Sequence, residues 1–159
     1  MAFTLFTDAL LDNGFFDARY TCDIDNSSPE LRWRDPPENI AGYALVALDT
    51  DTPEKFAHWV VFNIPATVQH LPAGIPPQEL LPNGIRQGLN GWGKLGYSGP
   101  CPPSHAEPHT YVFRLYALTA FPDITHRPTL DELMTALVPL TIATTEIRGR
   151  YQRMIQIAG

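Results

Sequence analysis

The chain has 159 residues, 44% of them hydrophobic, which is a length typical of one domain and a composition typical of a folded globular protein. Its net charge is −6, with 11 Lys and Arg residues against 17 Asp and Glu, so neither a nucleic-acid partner nor a polybasic membrane anchor is expected. The apolar runs are far shorter than the roughly 20 residues that span a bilayer, so no membrane insertion is expected either.

Short strands are predicted in the first part of the chain, at residues 3–6, 18–22 and 31–33. A stronger strand follows at residues 43–48, which are apolar throughout and end at Asp49. An apolar run of this length, stopped by turn residues, is typical of a buried central strand.

Two further central strands are predicted later in the chain. Residues 58–64 are mostly apolar and are stopped by Pro65, and residues 110–118 are largely apolar on both of their alternating faces. Two apolar faces indicate a strand in a sheet that is covered on both sides. Residues 71–108 are predicted to be largely loop, and 12 of the 16 prolines fall between positions 36 and 108, where they fix turns.

One helix is predicted near the end of the chain. Four apolar residues recur at the spacing of one helix face: Leu130, Leu133, Met134 and Leu137. Thr129 and Glu132 form a capping box at its start, and Pro139 ends it. A further strand is predicted within residues 141–154. Several strands with one late helix predict a β-rich α+β domain covering residues 1–159.

Polar side chains gather at the ends of the three central strands. Asp49 and Asp51 follow the first, His58 begins the second, and His109 with Tyr111 opens the third. If these strands are neighbours with aligned ends, the five side chains converge on one rim. Taken singly, each is equally compatible with ordinary turn chemistry or a core histidine. His70, His105 and His126 lie in polar surroundings and are expected to be solvated.

A glycine-rich run at residues 88–99 precedes the third central strand. Gly88 and Lys94 are spaced as in a phosphate-binding P-loop, but Leu95 stands where that loop needs Ser or Thr, and Pro100 forbids the helix that should follow. A nucleotide P-loop is therefore rejected, although backbone N–H groups in such a run can form an anion-binding concavity.

The cysteines and the start of the chain bear on the compartment. Nothing before Arg19, the first basic residue, has the positive start and apolar core of a secretory signal, so a cytoplasmic protein is expected. In a reducing cytoplasm Cys22 and Cys101 are expected to be free thiols, and one bridge between these distant segments is the alternative.

Two ordered motifs resemble the signatures of the phosphatidylethanolamine-binding protein family. The first is Leu-Asp-Thr-Asp-Thr-Pro at residues 48–53 followed by His-Trp-Val-Val-Phe-Asn-Ile-Pro at 58–65. The second is Gly-Tyr-Ser-Gly-Pro-Cys-Pro-Pro at 96–103 followed by the strand at 109–118. The chain is similar to the bacterial and archaeal branch, which is related to Raf kinase inhibitor protein, over about residues 14 to 155.

The resemblance implies a β-fold with a larger and a smaller antiparallel-dominated sheet, few short helices, and a small anion pocket near the surface. By motif, the implied ligand-binding residues are Asp49, Pro53, His58, Gly99, Pro100, His109 and Tyr111. Asp49 and His58 would line the pocket, and His109 and Tyr111 would contact a phosphate or carboxylate. The Gly99 backbone and the Pro100 ring would complete it.

Some positions depart from the family pattern at the rim of the pocket. Pro53 stands where the family has a cis proline, while Thr50 and Thr52 replace a proline and an alanine. Ile24 stands where a glycine is common, and residues 104–108 replace a shorter turn.

The resemblance implies a non-enzymatic binding module for phosphorylated head groups or similar small anions. The alternative is a kinase- or protease-inhibitor-like regulator that acts through the same pocket on a protein partner. A hydrolase is the least favoured, because no Ser or Cys nucleophile is clearly paired with a base. Asp49, His58 and His109 are chemically able to form a 2-His-carboxylate metal site, but the usual ligand spacings are absent, so no metal or other cofactor is expected. Some bacterial members are described as homodimers.

Overall fold

Two antiparallel β-sheets and one α-helix make up the regular structure of residues 2–52 and 56–153, the part of the chain that the computed structural model describes. The strands are β1 (Thr4–Phe6), β2 (Leu31–Arg34), β3 (Gly42–Asp49), β4 (Phe56–Pro65), β5 (His70–Leu71), β6 (Arg86–Gln87), β7 (His109–Leu118) and β8 (Thr141–Tyr151). The smaller sheet has the order β1-β2-β5 and the larger β6-β4-β3-β7-β8. This arrangement confirms the predicted fold class.

Strand β3 is the centre of the larger sheet, and all eight of its residues are buried. Its Leu45 and Ala47 face the smaller sheet, where they join a core that includes Trp33. Its Val46 belongs to a second core on the opposite face, closed by Leu133 of the helix α1 (Leu130–Leu137). The larger sheet is thus covered on both faces, which explains why its central strands are apolar on both sides. The two apolar faces of β7 had predicted this arrangement.

Helix α1 confirms the predicted helix in its position and its cap. The Thr129 side chain accepts a hydrogen bond from the Glu132 N–H, and the Glu132 carboxylate accepts one from the Thr129 N–H. Leu133 and Leu137 are fully buried against the larger sheet. The helix is therefore held mainly by its apolar face, with the cap fixing where it begins.

Most predicted strands are confirmed with small changes at their ends, but the strand expected at residues 18–22 is wrong. A 3₁₀ turn lies there instead, at Ala18–Tyr20. Asp17 accepts a hydrogen bond from the Arg19 N–H, and the Thr21 hydroxyl donates to the Ala18 carbonyl. These local side-chain bonds offer the backbone an alternative to a strand ladder.

The long predicted loop and the last strand need small corrections. The region 71–108 is mainly loop, as predicted, but the sequence missed β5, β6 and a 3₁₀ turn at Pro82–Gly84 within or beside it. Strands of two residues carry no readable periodicity. The last strand ends at Tyr151, and Met154, the end of its predicted range, lies outside the described residues.

The expectation of free thiols is also wrong, because Cys22 and Cys101 form a disulfide across 79 residues of chain, with their Cα atoms 5.4 Å apart. The two cysteines come together because the segment after the 3₁₀ turn runs beside the loop that precedes β7. Cytosolic thiols are normally kept reduced, so a disulfide bridge is unusual in a cytoplasmic protein. The cytoplasmic location stays a prediction. Among the described residues, no helix is long and apolar enough to cross a bilayer.

We expect Leu133→Ala to lower the free energy of unfolding by about 2–5 kcal/mol, because it opens a cavity under the helix. Thr129→Ala removes only the cap and should cost about 0.5–2 kcal/mol. Chemical denaturation of both variants checks this order. A cap variant that is less stable than the core variant would contradict the observed packing of α1.

The double variant Cys22→Ser/Cys101→Ser should lose about 2–5 kcal/mol of stability, because the bridge closes a long loop and so restricts the unfolded chain. Urea denaturation in the absence of reductant measures the loss, and the native chain treated with a dithiol is the matched control. Equal urea midpoints for the oxidised native chain and the double variant would be the contrary result.

Candidate functional site

Three strands of the larger sheet meet at one end, where β3 stops and β4 and β7 begin. Asp49, the last residue of β3, lies opposite Phe56 on one side and Tyr111 on the other. His109 is the first residue of β7, and His58 is the third of β4. The register therefore brings four of the predicted side chains to the same end of the larger sheet. They belong to Asp49, His58, His109 and Tyr111.

A β-bulge places His58. Ala57 pairs with Leu48 and Trp59 pairs with Ala47, so His58 is the extra residue on β4 between two consecutive positions of β3. A bulge bends a strand locally and re-aims the side chain of the extra residue. The sequence motif gives no sign of this irregularity, although the position of His58 depends on it.

The Asp49 carboxylate is almost fully buried and accepts two hydrogen bonds. Its Oδ1 accepts from the Asp51 N–H at 2.9 Å, and its Oδ2 lies 2.6 Å from Nδ1 of His109. A buried carboxylate is tolerated only when such partners compensate its charge. Within the described part of the chain no ion pair joins Asp49 to a Lys or Arg, and its side-chain partner is the imidazole of His109.

His58 is held differently, although its Nδ1 is also bonded. That nitrogen lies 2.6 Å from the Ser98 carbonyl oxygen, which can only accept, so Nδ1 carries the hydrogen and Nε2 is the ring nitrogen left for a ligand. The rings of Phe56, Trp92 and Tyr111 lie 5.2–5.4 Å from the imidazole. Burial lowers the pKa of His58 below its usual value, against the opposing effects of the Ser98 carbonyl and the Asp49 carboxylate.

Tyr111 lies between the two imidazoles, 5.3 Å from His58 and 6.3 Å from His109, measured between ring centroids. Its hydroxyl is buried and makes no hydrogen bond to any described residue. Burial raises the pKa of this hydroxyl, and the nearby charges of Asp49 and Asp51 raise it further. The hydroxyl therefore stays protonated and is available as a hydrogen-bond donor.

The loop beside His58 is attached to the segment that follows the 3₁₀ turn at Ala18–Tyr20. The Gly99 N–H donates to Oδ1 of Asn26 at 2.7 Å, the Tyr97 hydroxyl donates to the Tyr20 carbonyl, and the Cys22–Cys101 bridge follows directly. A Cβ on Gly99 would lie 2.1 Å from the Tyr20 carbonyl oxygen, so only glycine permits this approach. The Ser98 N–H also donates to the His58 carbonyl, which completes the attachment to β4.

Gly99 and Pro100, two further residues of the predicted site, take part in this attachment. Gly99 and Pro100 are both buried beside His58. The Gly99 N–H already has an acceptor in Asn26, and the Pro100 carbonyl accepts from the Cys22 N–H at 3.2 Å. Their observed bonds hold the loop in place. Pro53, with the peptide bond that precedes it, lies outside the described residues.

Sequence reasoning missed Asn26, Ser98 and Trp92. Asn26 adopts a positive φ of 53°, which asparagine tolerates better than most residues, and its Nδ2 donates to the Ser98 hydroxyl. Trp92 is 47% exposed and lies edge-on against both Phe56 and His58. The signal that would have found Asn26 is the cysteine pair, because bridging Cys22 to Cys101 places the two segments side by side.

The other histidines have the surroundings that the sequence predicts. His70 and His126 are at least half exposed and contact Glu30 and Glu132 at 3.1 and 2.6 Å. His105 lies exposed in a turn.

A cleft of about 640 Å³ is lined in part by Phe56, Asn90 and Asp131. None of the predicted site residues that the structure describes lines this cleft, so its volume does not measure the candidate site. Within the described ranges, no group of three His, Cys, Asp or Glu side chains is arranged to hold a metal ion.

Stability should fall as the pH drops below about 6.5, the usual pKa of an unfolded histidine, because His58 takes up a proton less readily in the folded chain than in the unfolded one. His58→Gln should therefore lose less stability than the native chain between pH 7.5 and 5.5. Urea denaturation in acetate- and phosphate-free buffers measures the difference, with His70→Gln as the exposed control. If His58→Gln loses as much stability as the native chain over this pH range, the lowered pKa of His58 is contradicted.

Comparison with known proteins adds independent information. The sequence model described as phosphatidylethanolamine-binding protein matches residues 6–152. A protein of Methanothermobacter thermautotrophicus, called only an UPF0098 protein, is 40% identical over 148 residues, which is 92% of this chain and 97% of that protein.

Two solved structures are similar in fold along nearly the whole chain. The crystal structure of Escherichia coli YbcL, described as a new member of the mammalian family, has a TM-score of 0.88 and 30% identity and covers 97% of this chain and 100% of its own. A homologue from Chlamydia trachomatis has a TM-score of 0.84 and 30% identity, over 96% of this chain and 99% of its own. The chain therefore belongs to the phosphatidylethanolamine-binding protein family.

Proposed function

We propose that this chain is a binding protein for small anions, such as phosphorylated head groups or carboxylates, held where β3, β4 and β7 meet. The observation that carries the proposal is the state of two histidines. Nδ1 of His58 and Nδ1 of His109 are each bonded within the protein, so each ring offers only Nε2 to a ligand. The Tyr111 hydroxyl, buried and without a partner among the described residues, lies between them as a third contact.

Family membership supports a binding role over a chemical one. The family is named for phosphatidylethanolamine, whose head group carries a phosphate, and this agrees with an anion as the ligand. Within the described residues both cysteines are bridged, and the hydroxyl of Ser98 is bonded to Asn26 and not to a histidine. These contacts favour a non-enzymatic protein, because a nucleophile needs a neighbouring base.

The alternative from the sequence is a kinase- or protease-inhibitor-like regulator acting through the same pocket. Both functions use the same side chains, so a competition experiment with free phosphate distinguishes them. A partner bound through the pocket is displaced by free phosphate, whereas a receptor for small anions binds phosphate with no partner at all.

Removing one ligand contact at a time tests the proposal. We expect His109→Ala and Tyr111→Phe each to weaken binding of acetate or phosphate by about 1–3 kcal/mol, as the loss of one charge-assisted hydrogen bond does. Isothermal titration calorimetry measures the affinity, and thermal unfolding shows that each variant is folded.

His70→Ala is the matched control, because it removes a half-exposed histidine of the smaller sheet. Its affinity for both anions should equal that of the native chain. Unchanged affinity in both site variants would place the anion elsewhere, and no binding of either anion to the native chain would contradict the proposed function.

A further inference from the structure

We propose that Asn26 is a positioning residue of the candidate site, because through one peptide unit it determines which ring nitrogen of His58 carries the hydrogen. The unit is the peptide between Ser98 and Gly99, whose carbonyl faces His58 and whose N–H faces Asn26. The importance of Asn26 for ligand binding rests on the proposed function, in which His58 is one of the contacts. The test reads the state of the His58 ring directly and needs no ligand.

The Ser98–Gly99 peptide is bonded to a side chain at each end. Its carbonyl oxygen lies 2.6 Å from Nδ1 of His58, and its N–H donates to Oδ1 of Asn26 at 2.7 Å. The C=O and N–H groups of a trans peptide point in opposite directions, so the two side chains lie on opposite sides of the unit. An acceptor at Asn26 therefore fixes the direction of the carbonyl that faces His58.

The local backbone does not by itself determine the direction of this carbonyl. Gly99 has no Cβ, and glycine adopts positive and negative φ about equally readily, so the backbone at this residue permits the peptide to turn over. The same rotation of a peptide relates type I and type II turns, and the type II turn needs a glycine for this reason. Without the acceptor at Asn26, the carbonyl can turn away from His58.

His58 depends on this carbonyl for the position of its hydrogen. A neutral imidazole carries one hydrogen, on either Nδ1 or Nε2, and an acceptor beside Nδ1 selects the first form. Burial lowers the pKa of the ring, and the backbone of Ser98 opposes this effect more than the backbone of Gly99 does. Turning the Ser98 carbonyl away therefore removes the main preference for the Nδ1–H form and exchanges the donor and acceptor nitrogens of the ring.

Asparagine at position 26 meets three structural demands. The residue has a φ of 53°, in the left-handed region that asparagine tolerates better than most residues. Its Oδ1 accepts from the Gly99 N–H, and its Nδ2 donates to the Ser98 hydroxyl at 3.3 Å. Its own N–H donates to the Thr21 carbonyl at 2.9 Å, next to Cys22 and the bridge. The backbone of Asn26 is thus anchored beside the disulfide, while its side chain contacts the peptide that it orients.

The disulfide does not replace this contact. The Cys22–Cys101 bridge keeps the two segments adjacent, but it is attached two residues beyond Gly99 and leaves the direction of the Ser98 carbonyl open. A role of Asn26 in stability alone would leave the imidazole ring unaffected in any variant that still folds. The state of the ring therefore distinguishes a positioning role from a structural one.

Two substitutions separate the acceptor at position 26 from the rest of the side chain. Asn26→Gly deletes the amide but allows the positive φ, whereas Asn26→Asp keeps an oxygen acceptor and tolerates the same φ. Asn26 is exposed and belongs to neither hydrophobic core, so both variants are expected to fold. Asn83→Gly is the matched control, because it removes another asparagine with a positive φ, of 66°.

Proton–nitrogen NMR correlation through the ring bonds of His58 at pH 8 measures the two neutral forms, and His58→Gln identifies the signals. An unperturbed histidine has a pKa of about 6.5 and is neutral at this pH. Burial lowers the pKa of His58 further. The native chain, Asn26→Asp and Asn83→Gly should carry the hydrogen on Nδ1. In Asn26→Gly the ratio of the Nδ1–H form to the Nε2–H form should fall by at least about fivefold, as the loss of one hydrogen bond allows.

A shift of the His58 ring in Asn26→Gly that is absent from Asn26→Asp and Asn83→Gly supports the proposal. An unchanged ratio in folded Asn26→Gly overturns it. If Asn26→Gly does not fold, the native chain and Asn26→Asp decide, because hydrogen on Nδ1 in both supports the proposal and hydrogen on Nε2 in either overturns it.

Acetate titration of the native chain tests the proposed function separately. Failure of acetate to bind contradicts that function and leaves the result for the His58 ring standing. An unchanged ring in Asn26→Gly, together with acetate binding to the native chain, overturns the role of Asn26 and leaves the proposed function in place.

Discussion

The buried carboxylate of Asp49 is the constraint on which the candidate site depends. It lies at the end of β3, a strand whose every residue is buried, so water cannot compensate its charge. The donors must come from the protein, and the Asp51 N–H and His109 provide them. The first bond fixes the turn after β3, and the second fixes the ring of His109 at the start of β7. A structural requirement of the core thus orients a side chain of the candidate site.

The other half of the site depends on contacts between segments that are distant in sequence. His58 is bonded to a loop carbonyl, and that loop is held by Asn26, by the Tyr20 backbone and by a disulfide across 79 residues. The glycine at position 99 is explained by this packing, because a side chain there would overlap the Tyr20 carbonyl. The Gly99 N–H is accordingly used within the protein, where it donates to Asn26.

The sequence predicted the parts whose causes are local. The strands β3, β4 and β7 and the capped helix α1 follow from apolar patterning, and the common end of the three strands follows from their order. What it missed depends on individual contacts, some of them local and some between distant segments. The turn at Ala18–Tyr20 is closed by side-chain bonds, the bulge at His58 arises from pairing with β3, and the bridge depends on the tertiary path of the chain. Each of these is a contact between residues that no periodicity connects.

The proposed function requires that an anion is selected by contact and not by attraction at a distance. The chain carries a net charge of −6, so its overall field does not draw anions toward the site. Within the site, the Asp49 carboxylate lies against the imidazole of His109, and burial lowers the pKa of His58. Selectivity then depends on which atoms donate hydrogens and which accept them. The hydrogen on Nδ1 of His58 is held by a backbone carbonyl, which does not titrate, so the orientation of this ring is set by the path of the loop and hence by the contacts that attach it to Asn26 and Cys22.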